Sequence, residues 1–215
     1  MEVCIDLGVG LGGASAAFRD RGWEVIGLDI DSRFNPTILA SYTHIPLRTG
    51  LSPKVILASP DCRCFSIAAL FRHWAKGSPP VPKSEDAKAA IRATKELVAE
   101  IKRLDPDYAV LENPRGMMRH VLGKPQHTIR MSDYGLPFKK PTDLWEFGRR
   151  RLAFRLLERQ GSWVRSPRGT KNGIQGFKGK HVKGQGGLGD YVRPPALRAK
   201  WPYGLSKAIL EAVET

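Results

Sequence analysis

The chain has 215 residues, 41% hydrophobic and 26% charged, which suits one soluble globular domain with room for a small lobe. Its formal net charge of +14 and pI near 10.0 are the electrostatic footprint of a nucleic-acid binder. No apolar run approaches the ~18 residues of a membrane span, no basic leader precedes the first strand pattern, and three cysteines without a Cys-x-x-Cys pair argue against a disulfide framework or a structural metal and for a reducing compartment.

The first third reads as a nucleotide-binding unit. Val3-Cys4-Ile5-Asp6-Leu7 predicts a short buried strand that runs into Gly8-Val9-Gly10-Leu11-Gly12-Gly13 and then an Ala-rich helix from about Ala14 to Arg21. A second strand, Glu24 to Leu28, ends in Asp29-Ile30-Asp31. Strand, glycine turn, helix, strand and terminal acid are the opening of a doubly wound fold. Asp29 stands where a carboxylate binds the two hydroxyls of a ribose. The spacer from Ser32 to Pro53 predicts a short helix and loops, with His44 a solvated loop histidine.

Val55-Ile56-Leu57-Ala58 predicts a buried parallel strand ending in Ser59-Pro60-Asp61-Cys62-Arg63-Cys64-Phe65-Ser66. A cysteine at such a strand end has the position of a nucleophile. Ile67 to Phe71 reads as helical, and Gly77 to Pro82 as a mobile Pro-rich loop bordering the cysteine. Ser84 caps a long scaffold helix to about Leu104, apolar at Ala87, Ile91, Leu97, Val98 and Ile101. The next strand, Asp107 to Leu111, ends in Glu112-Asn113-Pro114. On a parallel sheet Glu112, Cys62 and the glycine turn share one edge, and that convergence argues for an enzyme. Tyr134 to Trp145 reads, taken alone, as a solvated turn.

The order of these motifs resembles the cytosine-5 DNA methyltransferases. Asp6 to Gly13 is similar to their first motif, Asp29 to the ribose acid, Ser59 to Ser66 to the Pro-Cys loop, and Glu112-Asn113-Pro114 to the Glu motif that holds the target base. The Cys-x-x-Phe-Ser spacing within the loop selects Cys62 over Cys64. Tyr134-Gly135-Leu136-Pro137 looks like the approach to the Gln-x-Arg-x-Arg motif, with Lys140 at its first Arg position. Leu205 to Leu210 resembles the last helix, which returns to pack beside the cofactor.

The resemblance implies an α/β, Rossmann-like class I S-adenosylmethionine-dependent methyltransferase fold with a very small basic target-recognition segment. It implies catalysis by Cys62, Glu112 and Lys140, and S-adenosylmethionine held by Asp6, Leu7, Gly8, Gly10, Leu11, Gly12, Gly13, Asp29, Ile30 and Pro60. It divides the chain into a catalytic domain over 1–147, a basic Gly-rich recognition segment over 148–193, and a returning helix over 194–215. Ser66, Arg149, Arg150, Arg151, Arg165, Arg168, Lys171, Lys178, Lys180 and Lys183 are the expected contacts to double-stranded DNA, strong in phosphate grip and short or relaxed in sequence preference. A monomer is expected, cytoplasmic, prokaryotic or phage-encoded, with a partner restriction endonuclease and neither membrane nor metal. Transfer RNA as substrate, and a decayed scaffold that binds DNA without catalysis, are the alternative readings.

The chain departs from the family at four points. Gly8 stands where an aromatic residue packs on the cofactor, and Asp61 where a proline precedes the nucleophile. No acid occurs between Ser41 and His44, and a Lys replaces the Arg at position 140.

Overall fold

The computed structural model describes residues 1–48, 52–136, 139–153 and 200–215. Strands β1 (Val3–Leu7), β2 (Glu24–Asp29), β3 (Ile38–Leu39), β4 (Val55–Ala58), β7 (Tyr108–Pro114), β8 (His127–Arg130) and β9 (Pro141–Glu146) form one sheet. Its order is β3-β2-β1-β4-β7-β9-β8. The pairs among β3, β2, β1, β4 and β7 are parallel, and β9 runs antiparallel to both its neighbours. Numbered within this sheet alone, the order is 3-2-1-4-5-7-6 with the seventh strand reversed, the strand order of the Rossmann-like class I methyltransferase fold expected from the sequence. A separate two-stranded hairpin pairs β5 (Trp74–Ala75) with β6 (Val81–Pro82).

The strands alternate faces residue by residue, as the pleat requires. Cys4, Val55, Leu57, Tyr108 and Val110 pack on one face, against α1 (Ala16–Asp20) and the C-terminal helix α5 (Tyr203–Glu214). Ile5, Leu7, Ile56, Ala58, Ala109 and Leu111 pack on the other, against α3 (Glu85–Leu104). Two short helices, α2 (Leu70–His73) and α4 (Arg119–Leu122), complete the described set. Ser84 caps α3 as expected, its Oγ accepting from the Ala87 amide at 3.1 Å, with Glu85 and Asp86 in the positive first turn.

Four local expectations change. The first helix is only Ala16–Asp20, because Gly12, Gly13 and the turn after them take up the preceding residues. Ile67 to Phe71 splits into a 3₁₀ turn over Ile67–Ala69 and the start of α2. The Pro-rich stretch closes a hairpin, since Val81-Pro82 pairs with Trp74-Ala75. Pro141 to Trp145 is the interior strand β9, not a solvated turn. Its run Thr142-Asp143-Leu144-Trp145-Glu146 is buried throughout, with buried Asp143 accepting hydrogen bonds from Arg119 Nε and Thr128 Oγ1 at 2.6 and 2.8 Å. That local pairing lets a charged residue occupy a position where sequence periodicity expects solvent.

Helix α5 closes the fold behind the glycine turn. Ser206, fully buried, accepts from the Ala17 amide at 3.0 Å and donates to the Ala14 carbonyl at 2.5 Å. The Ala17 amide is one of the first-turn donors of α1 that have no partner inside the helix, and Ala14 lies just before its cap residue. Ser206→Ala is expected to strand both and to cost about 1–3 kcal/mol. The melting temperature should fall by several degrees with the far-ultraviolet dichroism unchanged, and a fall below about 1 °C would show that the two helices do not depend on this side chain.

Candidate active site

The register decides what meets at the sheet edge. Leu28, Leu7, Ala58 and Leu111 form one rung across β2, β1, β4 and β7. The residues after that rung are Asp29, Gly8, Ser59 and Glu112, so every strand delivers its chemistry to one line. The order reverses between β1 and β4, which makes this crevice the binding position of an open α/β sheet. The backbones close tightly there. Gly8 has φ +80, and a Cβ on it would lie 2.7 Å from the Ser59 carbonyl oxygen. The missing aromatic is therefore a steric necessity of this turn, since no side chain fits at position 8.

Gly10 (φ +48) and Gly12 (φ +67) continue the left-handed turn, and the Gly10 amide donates to Asp29 Oδ2 at 2.9 Å. Asp29 Oδ1 accepts from the Asp31 amide at 2.9 Å. A carboxylate has about four acceptor positions, so Asp29 retains capacity for two hydroxyl donors. Below the turn, Asp6 is fully buried. Ser15 Oγ donates to its Oδ2 at 2.5 Å, while Oδ1 has no partner. Burial pushes this carboxyl up to about 6, against the lowering effect of Ser15 and Arg19. Leu7 is buried beside it, and Gly13 backs onto Trp201, whose carbonyl would stand 2.5 Å from a Cβ there. Leu11 and Ile30 are exposed at the turn and Pro60 is buried beneath the cysteine. Ile30 lines a hollow of about 290 Å³ with Ser41, Tyr42, Thr43 and four residues of α3, Glu96 among them.

The cysteine loop is braced from three sides. Asn113 Nδ2 donates to the Pro60 carbonyl at 3.2 Å, and Trp74 Nε1 donates to the Cys64 carbonyl at 2.8 Å. The Met117 amide donates to the Phe65 carbonyl at 2.8 Å, and Ser66 bridges to Gly116. A Cβ on Gly116 would lie 2.1 Å from that carbonyl. Cys64 and Phe65 are buried by these contacts, while Cys62 is half-buried and so the more accessible of the two thiols. Burial and the Glu112 carboxylate push the Cys62 thiol up, Asp61 adds to this, and Lys140 opposes it. Asp61 itself accepts from Arg63 Nε at 2.7 Å and from the Arg63 amide at 2.9 Å, so the charge beside Cys62 carries its own counter-ion.

Glu112 is buried with one oxygen, Oε1, lacking a hydrogen-bond partner. Lys140 Nζ lies 3.5 Å from that oxygen. Lys140 has φ +31, a left-handed conformation that costs a non-glycine residue on the order of 1–3 kcal/mol and collects at functional sites. The site thus brings together Cys62, Glu112, Lys140, Asp29 and the glycine turn.

Arg149, Arg150 and Arg151 lie elsewhere. Strand β9 starts beside Pro114 and runs back along β7, so the residues after it reach the opposite edge. There Arg149 pairs with Asp107 at 2.6 Å and Asp105 at 3.1 Å, the Arg150 amide donates to the Asp107 carbonyl, and Arg151 Nη1 donates to the Glu146 carbonyl. Arg165, Arg168, Lys171, Lys178, Lys180 and Lys183 lie outside the described residues, as does nearly all of the segment 148–193. Two contributors escaped the sequence reading. Asn113 acts through its amide, whose only signal was its place after Glu112. The strain at Lys140 had no sequence signal. Among the described residues no cluster of His, Cys, Asp and Glu is arranged to hold a metal ion, and no helix is long and apolar enough to cross a membrane.

No family model and no curated protein matches the chain. Among solved structures it is similar to an E. coli prophage-encoded protein assigned as a DNA modification methyltransferase, at 16% identity and TM-score 0.44, over 68% of this chain and 46% of that one. It is also similar to a triple mutant of Spodoptera frugiperda DNMT2, at 18% identity and TM-score 0.46, over 75% of this chain and 54% of that one. The chain spans about half the length of these two structures.

An acid held up to about 6 is destabilising wherever it is ionised. The folded state binds the extra proton, so stability falls as pH rises from about 4 to about 6 and stays low above that. Asp6→Asn should remove this penalty of about 2–3 kcal/mol. Its melting temperature should exceed that of the natural chain by about 5–8 °C at pH 8 and match it near pH 3.5. A difference that does not change with pH would sink the assignment.

Proposed function

We propose that this protein methylates C5 of cytosine in DNA, using S-adenosylmethionine and a covalent bond between Cys62 Sγ and C6 of an unstacked base. The observation that carries the proposal is the meeting of a half-buried cysteine, a buried glutamate and a strained lysine at the switch-point edge of this particular sheet.

The residues present fit the cofactor. The unpartnered Asp6 Oδ1 is a buried acceptor awaiting a cation, suited to the ammonium of the methionine part. Asp29 is suited to the ribose hydroxyls. Ile30 and its hollow suit the purine, with the Ser41 and Thr43 hydroxyls and Glu96 as polar groups where the expected acid is missing. Leu7, Gly8, Gly10, Leu11, Gly12, Gly13 and Pro60 line the path between. When bound, the cofactor supplies an electrophilic methyl group.

The chain's own groups prepare the base. The target leaves the stack at an unstacking cost of a few kcal/mol. Cys62 loses its proton and its Sγ bonds to C6, which moves the ring's electron pair towards C5. Glu112 holds the N3 and amine edge as charge builds there, and Lys140 balances the carboxylate and favours the thiolate. Once C5 carries the methyl, loss of its proton restores the double bond and expels Cys62.

Incubation with S-adenosylmethionine and duplex DNA containing 5-fluorocytosine, followed by denaturing electrophoresis, tests this directly. Fluorine at C5 cannot leave as a proton does, so a covalent band should accumulate. Cys62→Ala should give none, and Glu112→Gln should slow its appearance by about 10²–10⁴-fold. A band only with fluorinated RNA would move the substrate to RNA. No band on either polymer, with cofactor still bound, would overturn the chemistry.

A further inference from the structure

Helix α3 sorts its charges by face instead of pairing them. Lys88, Arg92, Lys95 and Lys102 are all exposed. Their spacing brings them into one sector of the helix, about 80° wide and about 21 Å long. Ala87, Thr94, Leu97, Ile101 and Leu104 bury the other side. The acids keep to a flank: Glu96 lines the hollow with Ser41, Tyr42 and Thr43, and Glu100 accepts from the Ile45 amide at 3.2 Å and from Arg103 Nη2 at 2.6 Å. Arg103 also donates to the Ile45 and Leu47 carbonyls, so it has a structural task. Of the four outer cations only Lys88 is paired, with exposed Glu85 at 2.7 Å. Arg92, Lys95 and Lys102 form no ion pair among the described residues.

Like charges three or four residues apart repel along a helix, and a face that meets only water gains from alternating signs. Lys88 with Arg92, and Arg92 with Lys95, forgo that gain. Ala99 fills the gap between Lys95 and Lys102, so the sector holds no large apolar side chain. A lipid surface needs apolar groups to insert, whereas a phosphate backbone needs only a row of positive charges. One strand of a duplex presents a phosphate about every 3.4 Å of axis, so the row runs beside about six of them. The helix starts on the crevice side, where Arg92 lines the same hollow as Ile30, and runs to the opposite edge, where the chain enters β7.

Resting on the proposed function, we infer that the outer face of α3 is a second contact surface for double-stranded DNA, which grips the phosphate backbone outside the crevice. Lysines at this face act as point charges on phosphates and carry no base readout. The helix that covers one side of the sheet thus has two tasks, an apolar face for the core and a basic face for the polymer. The second contact holds the duplex on the chain whatever sequence stands at the crevice.

The full chain is titrated with a mixed-sequence duplex of about 40 base pairs over about 0.05 to 0.3 M salt. Each lysine that neutralises one phosphate adds about 0.9 to the slope of log K against log salt. Lys95→Gln/Lys102→Gln should therefore flatten the slope by about 1.8 and weaken binding by about tenfold or more near 0.1 M salt, equally on unrelated sequences. Lys95→Arg/Lys102→Arg should keep both slope and affinity. Binding of S-adenosylhomocysteine, and covalent trapping at saturating 5-fluorocytosine duplex, should change less than about twofold in either variant. Arg21→Gln/Lys207→Gln removes the same charge from α5 and the end of α1, on the other face of the sheet, and should leave the slope unchanged. An unchanged slope in Lys95→Gln/Lys102→Gln would overturn the inference, as would an equal loss in Arg21→Gln/Lys207→Gln, which would reduce the effect to net charge. A loss confined to duplex RNA or to phosphatidylserine vesicles would overturn it too and give the face to that partner. A natural chain that binds no duplex DNA at all would instead overturn the DNA reading on which the inference rests.

Discussion

In-register parallel pairing of β1, β2, β4 and β7 is the constraint on which the rest depends. Strands β1, β4 and β7 are buried on both faces, and a slip of one residue would exchange Cys4 for Ile5 and Val55 for Ile56 across the two core layers. The two layers are covered by different helices, so no slipped register is equivalent. With the register fixed, Asp29, Gly8, Ser59 and Glu112 must follow the last shared rung on one line. The crevice follows from strand lengths and pairing. The loops refine it afterwards, through Asn113 on Pro60 and Met117 on Phe65.

The edge so formed has a charge opposite to that of the molecule. A chain with a net +14 lines its crevice with Asp6, Asp29 and Glu112, two of them buried. Lys140 answers Glu112, while Asp6 stays fully buried with one oxygen unpartnered and its carboxyl pushed up to about 6. Keeping such groups costs stability that an apolar replacement would recover, and proteins retain them where a ligand needs them. An acidic crevice inside a basic surface is suited to a small cationic ligand and holds a polyanion off by sign.

The order of elements was legible because each buried strand carries its own punctuation: a glycine turn after Leu7, an acid after Leu28, proline and cysteine after Ala58, Glu-Asn-Pro after Leu111. Strand β9 was not, because Asp143 and the Lys139-Lys140-Pro141 entry look solvated, and only Arg119 and Thr128, distant in sequence, make a buried aspartate tolerable. Strand β3, two residues long, had no pattern to display. Cys62 and Glu112 were legible by position. The geometry that couples them, a left-handed Lys140 reaching Glu112, depends on how β9 enters the sheet, and no local preference encodes it.

The reversed direction of β9 also sorts the positive charge. A run such as Arg149-Arg150-Arg151 reads in sequence as one patch, yet β9 carries these residues to the edge away from Cys62, where Arg149 is already engaged by Asp105 and Asp107. The same strand delivers Lys140, before its start, to the pocket. Exposed cations also stand at 63, 72, 76, 83 and 115, in the segment after Pro60 and just past Pro114, too far apart in sequence to look like a patch. The Phe65–Met117 bond and the Ser66–Gly116 bridge hold the start of that segment against the end of β7, and the Trp74–Cys64 bond closes it on itself. Charge density along the chain therefore does not give charge density in space, and the topology decides which edge of the sheet each basic run reaches.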